Sequence, residues 1–319
     1  MNKQHLTTGL KVAVTLAAFA ILGSRIDFVQ VRSAIGTFPT KWIAAIVGLL
    51  MVSLITSTRK WQIVLGGLGW QAPFLKLVRL FWVGLFFNTF LPGRTGGDVV
   101  RAYSLSSSDG HRTTSIASVA IDRGLNLLAL IIIGATATFF STALPDHLYS
   151  VVRAVALSSV IVMAALVLSR HSVLRLLPKR IHALVSPVLN VHWDQRLAKA
   201  AALAFLAQIM MILINVCAAQ ALKLPVSTTE LFIAIPLTAI VTTLPISING
   251  FGIREAAYAT TLSYFGTSVE QGVALSLVMT ATLVGWSLIG GLVYLGSELR
   301  VASQPIPTDA RRNLNGTSI

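Results

Sequence analysis

The chain alternates between long apolar runs and short segments in which most of its polar residues collect. Six runs, at 9–26, 42–58, 118–141, 149–168, 200–222 and 270–297, each come near the roughly 20 residues that a helix needs to cross the hydrocarbon core of a bilayer. The pattern predicts an all-α, polytopic integral membrane protein with six full spans. Two further runs, 73–91 and 229–244, each end in Leu-Pro, followed by glycines and a polar, helix-like segment. Proline lacks a backbone donor and glycine weakens a helix, so these helices are predicted to break at Leu91-Pro92 and Leu244-Pro245 and to form re-entrant helical hairpins. Lys3 and Lys11 ahead of the apolar Val12 to Leu22 also resemble a signal peptide, but no small-x-small cleavage site follows and further spans do, so the run is read as a retained first span.

The two breaks share a layout. Pro92 is followed by Gly96, Gly97 and Arg101, and Pro245 by Gly250, Gly252 and Arg254, with nine residues from proline to arginine in both. Asp98 lies beside the first arginine and Glu255 beside the second; Tyr103 and Tyr258 follow. An internal repeat is expected, with a first membrane repeat over 1–145, a second over 146–298 and a disordered cytoplasmic tail over 299–319. Charge bias agrees with it. With residue 1 inside and both breaks re-entrant, sixteen of the 25 Lys and Arg fall on the inner side and five on the outer. Arg94, Arg101, Arg123 and Arg254 remain at membrane depth. Each half then holds three spans, an odd number, so the second is inverted relative to the first, as in many transporters.

Composition narrows the function. Only 11% of the 319 residues are charged and 55% are hydrophobic, against roughly 25% charged in soluble domains, which excludes a soluble globular enzyme. The net charge of +14 is dispersed between apolar runs, so it reads as membrane topology and not as a nucleic-acid groove. Cys217 is the single cysteine and the six histidines lack ligand spacing, so neither a disulfide framework nor a zinc site is expected, and no cofactor. No Gly-x-x-x-x-Gly-Lys-Ser/Thr phosphate loop occurs, which speaks against ATP-driven pumping by this chain.

Candidate chemistry sits at the breaks, because non-helical backbone at membrane depth survives only inside protein or beside a water-filled cavity. Asn88, Pro92, Arg94, Gly96, Gly97, Asp98 and Arg101 gather at the first, and Pro245, Asn249, Gly250, Gly252, Arg254 and Glu255 at the second. Each isolated charge at the bilayer centre costs at least about 2.5 kcal/mol, so these groups need partners or a function. Glycine-flanked helix starts offer free N–H groups and a positive dipole end, suited to an anionic head group. The same arginines and acids also fit structural ion pairs that hold the hairpins, and both roles are compatible. Asp122 and Arg123 form a third ionic pair. Neighbours on a helix point about 100° apart, so one is expected to reach the site and the other to snorkel inward. Arg59-Lys60-Trp61 reads as a basic aromatic anchor at the cytoplasmic interface, and 170–199 as an amphipathic helix on the inner leaflet.

Asn88 to Pro92 with Gly96-Gly97-Asp98 and Arg101, the Asp122-Arg123 pair, and Pro245 with Asn249-Gly250-Phe251-Gly252-Ile253-Arg254-Glu255 together resemble the lysylphosphatidylglycerol synthase transmembrane, or flippase-like, family over about 9–298. The resemblance implies translocation of a lipid with a phosphate-bearing or polar head group across a bacterial cytoplasmic membrane, without enzymatic activity, and the charge bias sets both termini on the cytoplasmic side. The implied partners are an anionic phospholipid, a polyprenyl-phosphate-linked lipid or a hopanoid-type lipid, with a lipid-modifying enzyme or glycosyltransferase as a protein partner. No aminoacyl-transferase domain follows residue 298, so lipid synthesis by this chain is not expected. Asn249 departs from the family pattern, where glycine is expected. A non-transporting scaffold for lipid-linked glycan enzymes is the alternative. An intramembrane aspartyl protease fits less well, because Thr95 replaces the glycine of its motif and nearby arginines would keep Asp98 and Asp122 ionised.

Overall fold

The computed structural model describes residues 38–90, 96–106, 112–141, 146–168, 188, 195–243 and 253–302. Its helices are α1 (Thr40–Gly67), α2 (Phe74–Phe90), α3 (Gly96–Ser106), α4 (Arg112–Ala137), α5 (Asp146–Leu168), α6 (Gln195–Ala221), α7 (Thr228–Thr243), α8 (Ile253–Ser263) and α9 (Val269–Ala302). No strand occurs among the described residues.

Local sequence sets the helix ends. At the end of α1, Gly69 takes φ 81° and the Trp70 N–H reaches back to the Leu65 carbonyl at 3.0 Å, a left-handed C-terminal cap that suits glycine. The starts of α7 and α9 carry reciprocal caps. Ser227 Oγ accepts from the Glu230 N–H while Glu230 Oε2 accepts from the Ser227 N–H, and Ser268 and Gln271 repeat the exchange.

Packing then crosses between the halves of the chain. α1 and α6 run together, while α2 packs with α3, and α7 with α8, as helical hairpins. α2 lies against α9, and α7 lies against α4. Small residues permit both crossings: a Cβ at Gly290 would overlap the Trp82 carbonyl, and one at Gly134 would come 2.9 Å from the Pro236 ring. Trp82 and Trp286 fill the α2–α9 seam with ring centroids 4.6 Å apart. The hairpin helices match in length, 17 residues for α2 and 16 for α7, and 11 each for α3 and α8.

α1, α4, α6 and α9 (over Val269–Gly296) are long and apolar enough to cross a membrane. They coincide with four of the six expected spans. The fifth falls within α5, whose Tyr149–Ile161 stretch is apolar but shorter, and the first, at 9–26, lies outside the described residues. Large apolar side chains point outward in stripes, Ile43, Val47, Met51 and Ile55 along α1 and Val151, Val155 and Leu157 along α5. Such surface demands a lipid covering. The expected inner-leaflet helix at 170–199 lies mostly outside the described residues, as does the tail beyond 302.

Candidate ionic cavity

The site forms where α1, α2, α3 and α4 converge. Near the end of α2, Asn88 Oδ1 accepts a hydrogen bond from the Gly97 N–H at 2.9 Å and ties the first turn of α3 to the last turns of α2. The approach demands glycine, since a Cβ at Gly97 would overlap the Gly84 carbonyl oxygen. Gly96 and Gly97 thus open α3 and bring Asp98 and, one turn on, Arg101 into the bundle, where both are buried.

The Arg101 guanidinium lies 4.4 Å from the Trp61 ring centroid and 5.1 Å from that of Phe81, an arrangement that favours a cation electrostatically. Its Nη2 donates to Asp122 Oδ2 at 3.2 Å and lies 3.5 Å from Asp98 Oδ1. Trp61 is itself fixed, its indole N–H donating to Ser118 Oγ at 3.0 Å. Ser115, one turn before Ser118 on α4, donates to the Ala102 carbonyl of α3 at 2.7 Å.

Asp122 is shared by two cations. Lys60 Nζ lies 2.9 Å from its Oδ1, with both side chains buried. The same ammonium also donates to Asn126 Oδ1. Arg123 turns the other way: its Nε donates to Asp98 Oδ2 at 2.7 Å, and its Nη2 lies at the same distance. Lys60, Arg101 and Arg123 therefore face only Asp98 and Asp122, and among the described residues the cluster holds one surplus positive charge.

This cluster borders a cavity of about 470 Å³ whose polar wall includes Asn88, Asp98, Arg101, Asp122, Arg123 and Gln208. Leu283 and Trp286 of α9 and Ala239 of α7 line the apolar side. The Arg101 Nε–H is buried without a hydrogen-bond partner among the described residues. No three His, Cys, Asp or Glu side chains among the described residues converge as metal ligands.

The first break supplies Asn88, Gly97, Asp98 and Arg101 as a connected site, joined by Asp122 and Arg123; Pro92 and Arg94 lie outside the described residues. Asp122 and Arg123 do take different partners, yet both line the cavity, so the expected division between one site residue and one snorkelling residue does not hold. The reading of Lys60 and Trp61 as an interfacial anchor is also corrected: both side chains are fully buried, because their face of α1 meets α3 and α4. A signal for this was present in the sequence. Ser53, Ser57 and Lys60, spaced four and three residues apart, place polar groups along one face of the helix.

At the second break, Pro245, Asn249, Gly250 and Gly252 lie outside the described residues. Arg254 Nη1 donates to Thr280 Oγ1 at 3.0 Å, and the Ser276 hydroxyl lies 3.5 Å from Glu255 Oε1. Tyr258 donates to Asn215 Oδ1 at 2.7 Å. Neither Arg254 nor Glu255 lines the cavity of the first break, so the structure does not bring the two arginines to one wall.

Long apolar helices with outward apolar stripes around an internal ionic cavity define a polytopic α-helical membrane protein. The family model of the lysylphosphatidylglycerol synthase TM region matches residues 9–290, and the chain belongs to that family. It is similar to the UPF0104 membrane protein MJ1595 of Methanocaldococcus jannaschii, 33% identical over 98 residues, or 30% of this chain and 29% of the relative. It is also similar to the UPF0104 membrane protein PH1989 of Pyrococcus horikoshii, 25% identical over 132 residues, or 40% of this chain and 39% of the relative. The matched segments thus span less than half the length of either relative. No solved structure matches the chain.

Proposed function

We propose that this protein moves a lipid with a phosphate-bearing head group between the leaflets of the cytoplasmic membrane. The carrying observation is the ionic cluster at a 470 Å³ cavity, in which, among the described residues, three cations stand against two carboxylates and one arginine N–H has no partner. A surplus charge inside a membrane bundle is costly, and a phosphate that enters with it makes the site neutral. Arginine suits the task, since its fork donates two parallel hydrogen bonds to phosphate oxygens while the acyl chains stay in lipid.

On this reading the α2–α3 and α7–α8 hairpins are re-entrant. At about 1.5 Å per residue, the 17 residues of α2 rise about 26 Å, short of the roughly 30 Å hydrocarbon core. The reciprocal packing of α2 on α9 and α7 on α4 supports an inverted repeat divided near residue 145, with both termini cytoplasmic. Transport is favoured over aspartyl chemistry because Asp98 and Asp122 both face cations, Arg101 and Arg123 for the first and Lys60 and Arg101 for the second, which disfavours the shared proton of a catalytic dyad.

The test is leaflet transfer in vesicles. Purified protein is reconstituted with a fluorescent phospholipid, and the fraction accessible to a membrane-impermeant quencher is followed over time. Faster transfer than in protein-free vesicles is expected. Transfer at the protein-free rate, together with retention of a lipid-modifying enzyme on the protein, favours the scaffold reading.

A further inference from the structure

Lys60 is not part of the cavity wall, yet it sets the charge of the ionic cluster among the described residues. Its side chain is fully buried behind Asp122, 2.9 Å from Oδ1 and hydrogen-bonded to Asn126 Oδ1. Without it, Arg101 would balance Asp122 and Arg123 would balance Asp98, and the cluster would be neutral among the described residues. With Lys60 present, Asp122 is divided between two cations and one positive charge is left over.

We propose that the cavity selects a lipid whose head group carries a single net negative charge, a phosphodiester without a cationic substituent, and that Lys60 sets this selectivity from behind the wall. The inference rests on the lipid-translocation reading and names its substrate class. One phosphodiester cancels the surplus. A phosphomonoester in its doubly charged form overshoots it, and a zwitterionic head group brings its own cation and leaves the surplus standing. The donors match as well: Arg101 Nε–H has no partner among the described residues, and Arg123, whose side chain is 54% exposed, borders the same cavity. Two non-bridging phosphodiester oxygens can accept from both.

The charge count makes the test. Purified wild type, Lys60→Met and the double variant Lys60→Met with Asp122→Asn are titrated in detergent with phosphatidylglycerol, phosphatidylcholine and phosphatidic acid, and bound lipid is counted by native mass spectrometry. Wild type is expected to prefer phosphatidylglycerol over phosphatidylcholine by about tenfold or more. Lys60→Met removes the surplus and should reduce that ratio to near one. The double variant keeps Arg101 and Arg123 against Asp98, regains a surplus of one and should regain the preference. A wild-type ratio in Lys60→Met, or a folded double variant that stays unselective, overturns the proposal. Should Lys60→Met fail to fold, Lys60→Gln, which keeps a donor for Asn126 Oδ1 while removing the charge, takes its place, and a wild-type ratio in it overturns the proposal equally. Glycerophosphoglycerol, the head group without acyl chains, is a further arm. Binding of it as tight as that of the whole lipid sinks the translocation reading while leaving the charge rule intact.

Discussion

Lys60 of α1 and Asp122 of α4 meet 2.9 Å apart with both side chains buried, so an ion pair inside the bundle joins two helices that are distant in sequence. Asp122 also receives Arg101 of α3, so one carboxylate fastens three helices at the edge of the cavity.

Removing that carboxylate should be severe. Asp122→Ala leaves Lys60 and Arg101 without their shared anion, and breaking a buried pair this way costs about 3–5 kcal/mol. Thermal unfolding in detergent should show a large loss of stability, larger than for Arg153→Ala, whose partners lie at the end of α4.

Trp61 serves Arg101 in two separable ways. Trp61→Phe keeps an aromatic face for the guanidinium but loses the 3.0 Å hydrogen bond to Ser118, a cost of about 1 kcal/mol. Trp61→Leu loses both, adding about 0.5–2 kcal/mol for the lost cation–π contact. Stability measurements on the two variants should fall in that order, with lipid transfer more impaired in Trp61→Leu.

The hairpin contact should be intolerant of a single methyl group. At Gly97 a Cβ would overlap the Gly84 carbonyl, whereas at Gly66 it would meet nothing within 4 Å. Gly97→Ala should therefore unfold at markedly lower temperature than wild type, and Gly66→Ala should match wild type.

Topology can be read at the ends of α6. Lys199 and Lys223 are both exposed near opposite ends of this candidate span, and the inner-positive bias places Lys199 inside. With Cys217 replaced by serine, a cysteine at 223 should react with an impermeant maleimide in intact cells, and one at 199 only after permeabilisation. Labelling at 199 from outside would reverse the orientation.

Much of this fold was legible because a spanning helix leaves a long apolar run: α1, α4, α6 and α9 fall where the runs predicted them. The Leu-Pro signals fall between α2 and α3 and between α7 and α8, in residues outside the described ones. The site was legible where its residues cluster along the chain, as in Asn88, Gly97, Asp98 and Arg101. It was obscured at Lys60 and Trp61, because a basic and an aromatic residue near the end of an apolar run also describe an interfacial anchor, and only packing against α3 and α4 distinguishes the two. The similar motifs at the breaks also meet different helices. Arg101 lies against Trp61 of α1 and Asp122 of α4, whereas Arg254 bonds the Thr280 hydroxyl of α9, and nothing in the spacing of the motifs reveals which helix faces them.

In the proposed transport, Arg101 holds the phosphate as the lipid passes through the cavity. The initial rate of leaflet transfer of a fluorescent phosphatidylglycerol is compared for wild type, Arg101→Lys and Arg101→Gln, reconstituted at equal density after each is shown to be folded. Transfer should slow by about tenfold or more with lysine, which lacks the forked donors, and fall to the protein-free rate with glutamine. A folded Arg101→Gln that transfers lipid at the wild-type rate would contradict the account.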